Sequence, residues 1–262
     1  MSELIFTVLI FIIFIAILLL IYNNTVIIKK YKIKTDKACG GLKIVLISDF
    51  HNNKRLCPAI LSKTRQCKPD IIVIAGDLID RKHTDFNTAK NLLDGLSDIA
   101  EVYYVTGNHE AIVGRQKTAD TLGCDNVLAD ERYKIFDNYS ILGISDKING
   151  NDEKKSDLLT VFQRLDNFKI VIVHRPTEFT TGLDISKYDI DLVLSGHNHG
   201  GLVRIPFYGA LYSPDEGFFP RFSKGLYKNN GSQMIISAGA GNTFLPLRLN
   251  NFPEIVSISI EN

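Results

Sequence analysis

The sequence predicts an α/β protein, a four-layer α/β/β/α sandwich with sheet on sheet between two helical layers, preceded by one N-terminal transmembrane helix. Three observations carry that prediction. Short apolar runs alternate with amphipathic stretches from Leu42 to Val105, the order of a mainly parallel sheet flanked by helices. The alternation returns less regularly between Tyr133 and Leu194, and the end reads as strands separated by Gly and Pro. Finally, Leu4 to Ile21 is apolar except for Thr7.

Eighteen residues at about 1.5 Å rise make roughly 27 Å of helix, close to the hydrocarbon thickness of a bilayer. A helix apolar on every face belongs in a large core or in lipid. A cleaved signal peptide would want a basic start, a shorter run and small residues at a cleavage site. Here Met1-Ser2-Glu3 precedes the run and Tyr22-Asn23-Asn24 follows it, so residues 1–25 read as a retained single-pass anchor in the cell membrane. Lys29, Lys30, Lys32, Lys34 and Lys37 follow in a linker and first-strand region, residues 26–41. With no Lys or Arg before the anchor, the positive-inside rule favours the cytoplasm for the main domain, residues 42–262, with the extracytoplasmic side as the alternative. The same lysines also suit anionic headgroups or a solvated strand face.

Within the main domain, buried strands are expected at Leu42–Ile47, Ile71–Ala75 and Val102–Val105. Helices are expected at Arg55–Cys67, Asp85–Ser97 and Gly114–Leu122; in the second, Phe86, Ala89, Leu92, Leu93 and Leu96 keep helical spacing. Further strands are read at Tyr133–Phe136, Ser140–Ile144, Lys169–Val173, Asp191–Leu194, Met234–Ser237 and Glu254–Ile260, with a helix between Glu153 and Leu165.

The net charge is +1; without residues 1–38, which hold five lysines and two acids, 25 basic and 27 acidic residues remain of the chain's 30 and 29. Such a domain has no basic stripe, and no nucleic acid is expected as a partner. Cys39, Cys57, Cys67 and Cys124 lack metal-type spacing and read as free thiols.

The chemistry sits where strands end. The first runs into Ser48-Asp49-Phe50-His51, the second into Gly76-Asp77, the third into Gly107-Asn108-His109-Glu110. Lys169–Val173 runs into His174, and Asp191–Leu194 into Gly196-His197-Asn198-His199-Gly200. Ligands of open α/β sheets sit outside such carboxyl ends. Five of the six histidines fall there; His83, in the loop Arg81-Lys82-His83-Thr84, reads as an ordinary surface residue. Asp49 and His51 would point oppositely on a continuing strand, so a turn is needed to bring both to one ion. Imidazole with carboxylate suits Zn, Mn or Fe. A carboxylate such as Asp77 bridges two ions, one per oxygen, and a pair of ions lowers the pKa of water and holds both oxygens of an in-line displacement at phosphorus.

These motifs, in this order over residues 43–201, resemble the calcineurin-like metallophosphoesterase superfamily. Arg204-Ile205-Pro206, Gly217-Phe218-Phe219-Pro220 and Gly239–Asn242 look like its bacterial membrane-anchored branch. The resemblance implies two divalent metal ions. One would be held by Asp49, His51, Asp77 and His199, the other by Asp77, Asn108, His174 and His197. It makes His109 the catalytic non-ligand histidine, which binds the phosphoryl group and protonates the leaving oxygen. Asn108 and Arg175 join His109 as substrate-binding residues. Leu202 stands where close relatives often have Gln, a departure in a substrate-facing loop. The implied activity is hydrolysis of a phosphoester or phosphoanhydride by a metal-bridging hydroxide at the membrane. A phosphodiesterase or pyrophosphatase acting on a nucleotide or lipid-linked substrate is the alternative, and a membrane-tethered binding scaffold the non-enzymatic one. Phe207, Tyr208, Tyr212, Phe218, Phe219 and Phe222 read either as an apolar wall for a lipid or nucleoside or as rings packed under a long loop.

Overall fold

The computed structural model describes residues 2–37, 41–123, 133–146, 152–242 and 247–261. The first part of the chain forms α1 (Ser2–Asn24), β1 (Ile27–Lys34), β2 (Leu42–Ile47), α2 (Cys57–Cys67), β3 (Ile71–Ala75), α3 (Phe86–Ser97), β4 (Glu101–Val105), α4 (Asn108–Val113) and α5 (Arg115–Leu122). The second forms β5 (Tyr133–Phe136), β6 (Tyr139–Ile144), α6 (Asp152–Phe162), β7 (Phe168–Val173) and β8 (Leu192–Ser195). Four two-residue strands follow, β9 (Arg204–Ile205), β10 (Gly209–Ala210), β11 (Tyr212–Ser213) and β12 (Gly217–Phe218), then β13 (Gly225–Asn229), β14 (Ser232–Ile236) and β15 (Glu254–Glu261).

The first sheet has the order β1-β15-β2-β3-β4. Its strands β2, β3 and β4 run parallel, while β15 is antiparallel to β2 and parallel to β1. The second has the order β13-β14-β8-β7-β6-β5, parallel from β14 to β6 with antiparallel partners at both edges. All five residues of β3 and all six of β6 and β7 are buried, as expected of strands covered on both faces. Alternate residues divide between the layers. Ile44, Leu46, Val73 and Val105 meet Ile141, Ile170, Ile172 and Leu194 between the sheets. Val45, Ile47, Ile72 and Ile74 pack against Ile60, Ala89, Leu92 and Leu96 of α2 and α3. On the far side, Leu142, Val171 and Val173 pack against Leu159 and Phe162 of α6. Each such side chain contributes roughly 1.5–3 kcal/mol, enough to fix the strand ends as a rigid rim.

Most element boundaries lie within two residues of expectation, and local chemistry explains the differences. Pro58 starts α2 two residues late, as proline favours a helix's first turn. Asp85 is the cap of α3 rather than its first residue, its carboxylate accepting from Thr88 N. Gly114 (φ 113°) separates α5, the helix expected there, from the six-residue α4 before it, which was not expected. The lysine-rich region contains the edge strand β1, with Lys30, Lys32 and Lys34 in solvent and Ile33 buried, a pattern that blunts an open sheet edge.

Helix α1 is apolar on every face, and from Glu3 to Asn24 it is long and apolar enough to cross a membrane. Its C-terminal end is tied down. Asn23 exchanges hydrogen bonds with the backbone of Arg248, donating to its O (3.2 Å) and accepting from its N (3.1 Å), and Tyr22 packs on Phe252. Of the six aromatics from Phe207 to Phe222, only Phe222 is buried, so packing beneath the loop does not describe the other five.

Candidate metal centre

Five strands, β2, β3 and β4 of one sheet and β7 and β8 of the other, bring their carboxyl ends to one rim. There the backbone leaves the extended region abruptly. Asp49 (φ 52°), His51 (φ 48°), Asp77 (φ 53°), His197 (φ 70°) and His199 (φ 47°) all take left-handed conformations. Each costs about 1–2 kcal/mol for a residue with a Cβ, and such strain collects at functional sites. The reversal also solves the problem posed by Asp49 and His51. Instead of pointing oppositely, both reach His199, with ligand atoms of all three within 4.8 Å of one another.

A second group, Asp77, His174 and His197, meets the same distance criterion. Asn108 joins it, its Oδ1 lying 3.0 Å from His174 Nε2. Asp77 stands between the groups: Oδ2 is 3.3 Å from His174 Nε2 and 3.9 Å from His51 Nε2. Its Oδ1 is occupied, accepting from His109 N at 2.9 Å. Oδ2 thus faces a ring nitrogen of each group, while Oδ1 meets the backbone at the start of α4.

Close backbone packing holds this in place. His197 N donates to both oxygens of Asp49, at 3.1 and 3.0 Å. A Cβ on Gly107 would fall 2.3 Å from Asp77 Oδ1 and 2.7 Å from Asp77 N, so no larger residue fits beside that carboxylate. Glu110, wholly buried, accepts from three backbone groups, Asp77 N (2.9 Å), Gly107 N (2.7 Å) and Ile79 N (3.0 Å). Its carboxyl is pushed up to about 7 by burial and by Asp77, against those hydrogen bonds.

The donor set fits divalent cations. His174 Nδ1 donates to Ala75 O (2.8 Å), leaving Nε2 as a lone pair. His197 Nε2 lies 3.0 Å from Asp215 Oδ1 and 3.2 Å from Arg175 Nη1. Nε2–H donates to the closer carboxylate, which leaves Nδ1 as a lone pair, the usual division of a ligating imidazole between ion and outer partner. These two nitrogens face each other at 3.1 Å, beside Asn108 Oδ1 and Asp77 Oδ2. Three buried acceptors and the half-buried Asn108 oxygen so close together suit a divalent cation. In the other group His51 Nε2 and His199 Nε2 also stand 3.1 Å apart.

The electrostatics agree. Burial would raise Asp77, but His174, His51 and His109 hold it well below the usual carboxylate range. Burial would lower His174, but Asp77, Asp49 and Asp146 push it up to about 10. Without a metal the carboxylates thus recruit a proton onto His174, which a divalent ion would displace. His199 is held well below its ordinary value by burial, His51 and Arg248.

His109 sits at the edge of the groups. Its Nδ1 accepts from Arg81 N (3.0 Å), so the neutral ring carries its proton on Nε2, 3.9 Å from Asp77 Oδ2. Burial pushes the ring down to about 4, with Asp77 and Asp80 opposing. The unfolded ring titrates near 6.5, so between about 6.5 and 4 the unfolded chain binds more protons. This group's contribution to stability is therefore lost as pH falls through that window. The His109 NMR resonances of metal-free protein are expected to titrate with a midpoint of about 4; a midpoint at or above the ordinary histidine value would contradict this geometry.

Arg175, expected to meet substrate, lies against His197, but Nε donates to both oxygens of Asp146 (2.9 and 2.8 Å) and Nη1 donates to Asp215. The cations lining the mouth are Arg81 and Lys82, beside a cavity of about 250 Å³ that also contains His51, Asp77, Asn108 and His109. Asp80, whose Oδ2 lies 4.0 Å from His51 Nδ1, forms a third group with His51 and His109. Sequence reasoning missed Asp80, Asp146 and Asp215, which are single acids on loops; their only signal is spatial. His83 takes no part in these groups, its carbonyl accepting from Asn52. Cys57 and Cys67 are free and half-buried; Cys39 and Cys124 lie outside the described residues.

Residues 42–201 match the family model described as calcineurin-like phosphoesterase. The chain is 30% identical over 271 residues to an uncharacterized metallophosphoesterase of Aquifex aeolicus, covering 95% of this chain and 98% of that one. It is 29% identical over 239 residues to the uncharacterized metallophosphoesterase YkuE of Bacillus subtilis, covering 85% and 80%. A Danio rerio transmembrane protein with a metallophosphoesterase domain is 26% identical over 249 residues, covering 87% and 55%. Among solved structures, a Thermus thermophilus protein superposes with a TM-score of 0.52 at 14% identity, over 76% of this chain and 90% of that one, a likeness of fold. The chain belongs to the calcineurin-like phosphoesterase family, whose members are metal-dependent hydrolases of phosphoesters.

Proposed function

We propose that this chain hydrolyses a phosphoester or phosphoanhydride at a two-ion centre. Asp49, His51 and His199 hold one ion, Asn108, His174 and His197 the other, and Asp77 bridges them. The observation that carries this reading is the position of Asp77 Oδ2, within 4 Å of a ring nitrogen in each group. When bound, such ions supply nucleophilic water near neutral pH and offset the charge that develops on phosphorus; the residues suit Mn, Fe or Zn.

The chain's own groups do the rest. Asp215 and the Ala75 carbonyl hold His197 and His174 in the tautomers that aim lone pairs inward. His109 Nε2–H points toward Asp77 and donates to a phosphoryl or leaving oxygen beside it. Asn108 orients that oxygen with its amide, and Arg81 and Lys82 attract the anion at the mouth. Arg175 acts through Asp146 and Asp215 on His197, a positioning role in place of the direct substrate contact expected of it. Helix α1 anchors the centre to a membrane, with the domain on the cytoplasmic side; its apolar length and the lysines behind it support this.

The test is turnover by the purified full chain, loaded in turn with Mn, Fe or Zn, on nitrophenyl phosphates, cyclic nucleotides and nucleoside-diphosphate lipids. Hydrolysis that stops on chelation and returns with metal is expected. Full metal loading with no hydrolysis of any of them would turn the reading to a tethered scaffold.

A further inference from the structure

The aromatics between Phe207 and Phe219 serve neither the core nor the metal centre. Phe207, Tyr208, Phe218 and Phe219 are 106%, 82%, 72% and 63% exposed. Among the described residues outside α1, five of the six exposed aromatic side chains fall in this stretch, Tyr133 being the other. Phe207 (φ 68°) and Phe219 (φ 54°) also occupy the left-handed region, where a bulky residue is an outlier and Gly or Asn would cost less. Backbone strain here holds apolar rings out in solvent, which folding alone does not reward.

Their position says what meets them. The β9–β10 hairpin hangs from the stretch that receives the end of α1: Arg204 N donates to Leu249 O, and Leu249 N to Leu202 O. The neighbouring Arg248 backbone is bonded to Asn23 of α1 in both directions. Exposed Leu247 lies with Leu19 and Leu20 around a cavity of about 660 Å³ at that junction. The β11–β12 hairpin carries Phe218 outward and, on its turn, Pro214 and Asp215, which wall the metal centre. Exposed Arg221 sits over the Phe222 ring at 5.0 Å, a cation beside the apolar tips.

We propose that these two hairpins are a second membrane contact, docking into the interfacial zone of the bilayer that α1 crosses and holding the mouth of the metal centre at the lipid surface. The proposal rests on the reading of α1 as an anchor. Phe and Tyr rings are side chains of that zone, and Arg221 supplies the cation that anionic headgroups attract.

The chain contains no tryptophan, so single substitutions report without background. The full chain is reconstituted in phosphatidylethanolamine–phosphatidylglycerol vesicles with brominated acyl chains. Phe207→Trp and Phe218→Trp report the hairpins, Phe11→Trp the helix, and Tyr133→Trp, on edge strand β5, an exposed ring outside both. The hairpin variants are expected to shift to the blue and lose emission comparably with Phe11→Trp, while Tyr133→Trp keeps its emission. Quenching of Phe11→Trp alone would overturn the docking and leave the anchor standing; quenching of none would overturn both. Quenching of Tyr133→Trp to the same degree, or a blue shift that grows with protein concentration without vesicles, would overturn the docking in favour of unspecific adsorption or a second copy.

Discussion

Replacing Asp77 with Asn is expected to lower kcat/KM by at least about a thousand-fold, some 4 kcal/mol of transition-state stabilisation. The substitution isolates charge from shape. Asn tolerates the left-handed backbone at φ 53°, and its carbonyl oxygen still accepts from His109 N. What disappears is the negative Oδ2 that faces both His51 and His174. His174 should also lose much of its affinity for a proton, because Asp77 is the largest influence raising it. The check is steady-state kinetics with metal analysis on the same samples. A variant that retains full activity and metal would remove Asp77 from the centre.

The second large effect concerns stability. Glu110→Ala is expected to destabilise the protein by roughly 3 kcal/mol, since three buried N–H groups lose their acceptor and each unmet group costs about 1–3 kcal/mol. The loss is partly offset because burial already disfavours the Glu110 charge. Glu110→Gln should fall between the two: Oε2 takes Asp77 N and Gly107 N, so a Gln carbonyl there keeps two bonds and loses only Ile79 N. Urea denaturation of the three metal-free proteins gives the order; an Ala variant as stable as the parent would contradict it.

The proposed ligands were legible because each follows an apolar run that can only be a buried strand. Placing Asp49, Asp77, His174 and His197 at one rim required no more than the strand order. The turns that aim them were not legible, since nothing in Asp49-Phe50-His51 marks two left-handed residues. Glu110 was visible in its motif, but its role depends on the backbone of the neighbouring strand end. Asp80, Asp146 and Asp215 reach the centre only through tertiary folding. Helix α4 has six residues, too few to show a period, and β9 to β12 have two each.

The proposed chemistry depends on two ions sharing Asp77. The direct measurement is metal content by mass spectrometry of the loaded full chain beside His51→Ala and His174→Ala variants. Two ions per chain are expected, with one remaining in each single variant and none held tightly by Asp77→Asn. A single ion per chain in the parent, lost together in both histidine variants, would contradict it.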